Sequence, residues 1–463
     1  MGDQQPDRDR TSNAEVLSRR APGPAGIFGL REVIGFLRDP LDFYLGLQSE
    51  WDGIVRGRVG PFLFHTLFDP SLVREALVVN HDFYTKRGVI DELLPLLGNG
   101  LLASEGESWK ARREAVAPLL ARRSMESLLP AMEAEADSVV ARWKSTDGKP
   151  KIVNASVDAM HFAISVIGRV LFGLDFTDRA GSISDAVESV ARLALQRSSA
   201  LVKLPLRFPT QANRAYSKAI AELDEIVFGG IRAAERTADC LFLQLEAIVD
   251  PSTGKQLTET DLRDESMSLL LAGHETTANT LAWILDHLGR EKEWQDRART
   301  EARDTLASLE PGKALGSSPM PIIDAIVSEA LRLAPPAWLM MRRALVDHEV
   351  GGYRISKRSF VAIPIHAIHR SSAYWEEPER FNPARFLEKA EGDLEAFLPF
   401  GIGPRRCPGE FFARAETRIL LAKVLTDFEL ESVAPSPKPQ PLATLRPAEH
   451  VRLRAVSRGP EQW

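Results

Sequence analysis

One segment near the carboxyl end constrains this chain more than any other: Phe400-Gly401-Ile402-Gly403-Pro404-Arg405-Arg406-Cys407-Pro408-Gly409. Its two inner glycines let the backbone take positive φ and pass close to a flat group. Pro408 suits the first position of a following helix, where its missing N–H costs nothing. Phe411, Ala415, Ile419, Ala422 and Leu425 then form one apolar stripe at helical spacing. A helix start beside Cys407 would aim unpaired N–H groups and a partial positive charge at the sulfur, lowering its pKa and favouring the thiolate. A lone thiolate presented this way suits axial ligation of a heme iron. The plainer alternative is a buried, inert cysteine after a glycine turn.

The rest of the chain bounds that reading. At 463 residues it can bury a large core, and 44% apolar with 26% charged residues is ordinary for a soluble globular protein. A net charge of −6 gives no reason to expect nucleic acid. Cys240 and Cys407 are the only cysteines, which implies no disulfide framework and a reducing cytoplasm. Cys240 reads as a core filler. Residues 1–20 are polar, with neither a bilayer-spanning run nor a signal-peptide pattern, and are expected to form a loose tail. Ala21-Pro22-Gly23-Pro24 marks where order should begin, so 21–463 is expected to be one domain.

Periodicity predicts a mostly α fold, a large helical domain with a smaller β-sheet region. Residues 54–59 and 62–68 flank Gly60-Pro61 as a hairpin, and 348–355 and 360–365 flank a second polar turn. Runs such as 124–143 and 152–172 carry apolar residues every three or four positions and read as helices. Another helix is predicted from Asp261 to Gly289, roughly 43 Å long, with Thr258 as its cap. Its middle reads Leu271-Ala272-Gly273-His274-Glu275-Thr276-Thr277. An acid beside a threonine is odd inside an apolar helix, and Thr276 is expected to bond back to the Ala272 carbonyl. Glu329 and Arg332 sit one turn apart among apolar neighbours, which argues for a buried pair. Glu377 and Arg380 share that spacing, so spacing alone decides little.

Phe400-x-x-Gly403-x-Arg405-x-Cys407-x-Gly409 resembles the cysteine-loop signature of the cytochrome P450 family at every defined position, and the resemblance covers roughly residues 21–455. It implies the P450 fold, heme b held by Cys407 as metal ligand, and Phe400 against the cofactor. Carried over by position, Thr276 would hydrogen-bond bound dioxygen and Glu275 would relay protons from solvent; His274 and Thr277 are expected to matter less. Arg385, in Phe381-Asn382-Pro383-Ala384-Arg385-Phe386, would complete a structural ion pair with Glu329 and Arg332, although Ala384 departs from the family's glutamate. Trp109, Arg113, Arg405 and either Arg342 or Arg343 fall where the family contacts heme carboxylates, a role for which the guanidinium fork is suited. Ala272, Trp338, Leu339 and Met340 fall where substrate would lie.

The implied activity is that of a heme-thiolate monooxygenase: a soluble, bacterial, cytoplasmic monomer of secondary metabolism, without a membrane anchor, that hydroxylates or epoxidises a small to medium apolar organic substrate with dioxygen. Electrons are expected from a separate ferredoxin or flavodoxin with its reductase, steered by Lys110, Arg112, Arg113, Arg122, Arg123 and Arg406. Two rivals stay open. A peroxide-driven peroxygenase would not need the Glu275-Thr276 pair, and a non-catalytic heme-binding sensor would need neither a proton relay nor a substrate pocket.

Overall fold

The computed structural model describes residues 19–24, 30–51, 53–146, 149–199, 204–234, 240–250, 254–310 and 312–458. Most of the expected tail lies outside them. Arg19 is anchored, its carbonyl accepting from Arg354 N at 3.0 Å.

The helices that position the site are α1 (Gly106–Val116), α2 (Leu129–Trp143), α3 (Ala155–Phe172), α4 (Ala180–Ser199), α5 (Glu259–Leu288), α6 (Pro321–Leu333) and α7 (Glu410–Asp427). The strands are β1 (Ile54–Val59), β2 (Phe62–Leu67), β3 (Tyr84–Thr85), β4 (Met340–Ala344), β5 (His348–Val350), β6 (Tyr353–Ile355), β7 (Phe360–Ile363), β8 (Pro439–Pro441) and β9 (Leu445–Pro447).

The 30-residue α5 starts at a reciprocal capping box: Thr258 Oγ1 accepts from Asp261 N, and Asp261 Oδ2 accepts from Thr258 N. It crosses the interior and packs most extensively on α3. Gly273 permits that approach, since a Cβ there would lie 3.2 Å from Ile167 of α3. By length and composition α3 could cross a membrane, but 67% of it is buried in this core.

β1 and β2 form the expected hairpin, in register from Ile54↔Leu67 to Val59↔Phe62. The later strands differ from expectation. β5 and β6 pair with each other about Gly351-Gly352, while β7 lies parallel to β2 and antiparallel to β4. The sheet order is β1-β2-β7-β4-β3. Ile152 likewise belongs to a strand, Lys151–Asn154, which pairs with Arg452–Ser457; the helix begins only after Asn154 caps it. Its β-branched pair Ile152-Val153 had blended into the apolar period of α3.

Candidate heme-thiolate site

The cysteine loop is held by its own backbone. Cys407 N donates to Phe400 O at 2.9 Å, and Gly401 N to Leu398 O at 3.0 Å. Gly401 and Gly403 take φ of 72° and 77°. Gly403 has a second constraint, because a Cβ there would come within 2.2 Å of Leu77 O. Pro408 precedes the helix instead of opening it: Gly409 is the N-cap and α7 begins at Glu410.

Desolvation by the surrounding protein pushes the Cys407 thiol up. The Gly409 N–H and the Arg113 and Arg406 guanidiniums pull it back only in part, and Glu410 adds to the rise. The lowering expected from a helix terminus is therefore outweighed. A thiol in this setting becomes a thiolate by binding a metal, which deprotonates it outright.

Beside the loop lies an excess of positive charge. Arg405 donates to Glu105 Oε2 at 2.6 Å and to Ser104 O at 2.9 Å, and its guanidinium stacks 3.8 Å from the Trp109 ring centroid. Burial and the neighbouring Arg342 and Arg113 bring the Arg405 pKa to about 10, against the pull of Glu105. Burial, Arg405 and Arg342 together bring Lys86 to about 7. Strand alternation separates the two arginine candidates on β4. Arg342 feels Glu105 and Arg405, whereas Arg343 lies over the Phe360 ring. Three cations, Lys86, Arg342 and Arg405, thus share one carboxylate, Glu105, and Arg113 adds its charge beside Arg405 and Cys407. A dianionic porphyrin fits this donor set: a thiol for iron and forked donors for two carboxylates.

On α5, Thr276 Oγ1 donates to Ala272 O at 2.8 Å, as expected of a mid-helix threonine. Glu275 Oε1 accepts from Thr444 Oγ1 at 2.7 Å, a partner 169 residues away. His274 is buried, its Nδ1 2.6 Å from Leu270 O, and burial keeps it neutral. Thr277, expected to matter little, donates to Glu416 Oε1 of α7 at 2.5 Å. Burial raises the Glu416 pKa well above its ordinary value, with the Thr277 hydrogen bond pulling the other way.

The Glu329–Arg332 pair has no solvent exposure and is bidentate, at 2.7 and 2.8 Å. Arg385 Nε reaches Glu329 Oε1 at 3.3 Å. Arg332 also donates to the carbonyls of His369, Pro378 and Arg380. His369 carries the connection onward. Leu398 N donates to its Nε2 at 2.8 Å, so Nδ1 holds the proton and faces Arg332 O at 3.2 Å. Burial and the adjacent Arg332 bring the His369 pKa to about 3, which keeps that acceptor available. A continuous run of hydrogen bonds therefore joins the ion pair to Leu398, Gly401 and the cysteine loop.

Two expectations need correction. Trp338 is buried in a second core cluster with Leu41, Tyr44 and Trp283, its Nε1 donating to Leu442 O at 3.0 Å; it backs the wall instead of facing a ligand. Ala272 is exposed, and Leu339 and Met340 are half-buried. Arg112 is no docking residue, being buried with Glu265 at 2.7 Å and Asp261 at 2.5 Å. Asp264 and Glu265 accept from Asn99 N and Leu101 N, so the charged run 263–265 of α5 fastens the loop before α1. Lys110, Arg122 and Arg406 are surface residues paired within their own helices or turns, to Glu107, Glu126 and Glu410.

Comparison with known proteins agrees with this geometry. The family model described as Cytochrome P450 matches residues 22–453. Pentalenene oxygenase of Streptomyces avermitilis is 30% identical over 460 residues, 97% of this chain and 100% of that protein. Cyclooctat-9-en-7-ol 5-monooxygenase of Streptomyces melanosporofaciens is 30% identical over 426 residues, 89% of each. The crystal structure of the cytochrome P450DA heme domain superposes with a TM-score of 0.82 at 26% identity, covering 96% of this chain and 99% of that one.

Proposed function

Since the chain belongs to the cytochrome P450 family, being a heme b monooxygenase that takes electrons from a redox partner to oxidise an apolar substrate with dioxygen, we propose that its substrate is a cyclic, largely hydrocarbon molecule of the class to which pentalenene and cyclooctat-9-en-7-ol belong. The observation that carries this is similarity along nearly the full length to two enzymes named for such substrates. The apolar run Leu339-Met340-Met341 and the exposed Ala272 support it, offering bulk and adaptability but no charge to recognise an ionic ligand.

The proposed division of labour is as follows. When bound, heme supplies the centre at which dioxygen is reduced. Cys407 would hold the iron, and Arg113, Arg342 and Arg405 would hold the carboxylates, with Trp109 and Phe400 packed around them. One oxygen atom enters the substrate and the other leaves as water, consuming two electrons and two protons. Glu275 would pass those protons inward, and Thr276, whose hydroxyl donates to Ala272 O in this structure, would turn that donor toward the dioxygen. Glu329, Arg332 and Arg385 brace the cysteine loop. We treat 21–463 as one monomeric, cytoplasmic heme domain supplied by an acidic ferredoxin or flavodoxin docking near Arg122, Arg123 and Arg406, which are exposed.

Optical titration of the ferric protein with cyclic terpenes is expected to give the blue shift that follows displacement of water from iron, and turnover should then yield a product heavier by one oxygen. A shift with charged ligands alone would overturn the substrate class. Thr276→Ala should send most NADPH electrons to hydrogen peroxide and cut product formation tenfold or more, as expected when a positioned proton donor is lost. Unchanged product per NADPH would remove Thr276 from the relay.

A further inference from the structure

Glu275 is oriented from outside its own helix. Thr444, at the tip of the β8–β9 hairpin, donates to Glu275 Oε1 at 2.7 Å and accepts from Asn279 Nδ2 at 3.0 Å. Asn279 follows Glu275 by one helical turn, so a single hydroxyl is gripped between two neighbours on one face of α5.

The hairpin itself is fixed along its length. Leu442 N donates to Thr444 O at 3.0 Å, and Leu445 N donates to Pro336 O at 3.0 Å. Trp338 Nε1 donates to Leu442 O, and Arg446 Nε donates to Gln440 Oε1 at 3.0 Å. Arg446 also reaches α4 through a two-pronged pair with Glu188, at 3.0 and 3.3 Å. A tip tied at this many points presents its hydroxyl at a set position. A glutamate side chain with three rotatable bonds, by contrast, gains most from an external anchor.

We propose that Thr444 is a positioning residue for the proton relay, holding the Glu275 carboxylate in the one rotamer from which it can serve Thr276. This rests on the reading of Glu275 as a relay group. It also explains the buried Trp338, which acts on the site through the backbone of the hairpin.

The test uses the heme-loaded enzyme in two measurements. The first is the NADPH-to-dioxygen ratio without organic substrate, driven by a surplus ferredoxin and its reductase. Reduction of dioxygen to two waters consumes two NADPH and needs full proton delivery, whereas release as hydrogen peroxide consumes one. Thr444→Val should lower the ratio toward one, as Glu275→Gln should, and Thr444→Ser should restore it. The second is amide hydrogen exchange at 442–446, which Thr444→Val should speed about tenfold by removing the hydroxyl, while Glu275→Gln, whose amide oxygen still accepts, should speed it less, with the double variant no faster than Thr444→Val. A wild-type ratio in Thr444→Val alongside a lowered ratio in Glu275→Gln would overturn the proposal. If Glu275→Gln itself leaves the ratio unchanged, the relay reading falls, and exchange decides alone whether Thr444 anchors the carboxylate. Wild-type exchange in Thr444→Val would then overturn it.

Discussion

Cys407→Ser is expected to abolish the red-shifted absorption band of the reduced carbon monoxide complex, leaving a band at the shorter wavelength of oxygen or nitrogen ligation. No other thiol can substitute, because Cys240 is 1% exposed and caps a short helix within the core. A serine hydroxyl has no accessible anion here: the desolvation that already pushes the Cys407 thiol up would act on a far weaker acid. Loss of residues that merely support a metal ligand costs about 10–100-fold, so loss of the ligand should reduce turnover by more than a hundredfold. An unshifted carbon monoxide band in the variant would remove Cys407 from the iron.

The second large effect should come from Arg332→Ala. It leaves Glu329 charged, without solvent exposure and deprived of its bidentate partner, at a cost of about 3–5 kcal/mol. Against a typical stability of about 5–15 kcal/mol, the expected result is poor folding and little bound heme, read as the ratio of Soret to protein absorbance. Arg385→Ala should fall short of this, since Arg332 would still neutralise Glu329. The internal control is Arg380→Ala. Glu377 and Arg380 have the same spacing but are 61% and 66% exposed, and such a pair contributes less than about 1 kcal/mol. Equal loss of heme in Arg332→Ala and Arg380→Ala would refute the bracing role.

That contrast also shows what a sequence can carry. The cysteine loop, the Thr258 cap and the Glu275-Thr276 pair were legible because their partners are local: a turn, a helix terminus and a carbonyl four residues back. Apolar context separated Glu329–Arg332 from Glu377–Arg380 for the same reason. Thr444, Glu105, Lys86 and Glu416 gave no such signal, being polar residues in unremarkable surroundings whose partners arrive through tertiary folding. Trp338 looked like a pocket residue because it is large and apolar, but its indole N–H found a carbonyl on the hairpin and drew the ring inward. Arg342 and Arg343 could be told apart only once their strand was paired, since alternation sends them to opposite faces. The thiol's direction of shift depended on how much protein surrounds it, which only the tertiary fold fixes.

The crowd of cations around Glu105 bears on how the molecule matures. Lys86 and Arg342 both repel Arg405 with Glu105 as their common counter-charge, so a ligand bringing two carboxylates to them would add stability to the folded chain at this edge. Cofactor capture and the stability of that flank would thereby be linked. A host that makes the chain faster than it makes heme would accumulate molecules lacking that stabilisation, and protease sensitivity at this edge would report it.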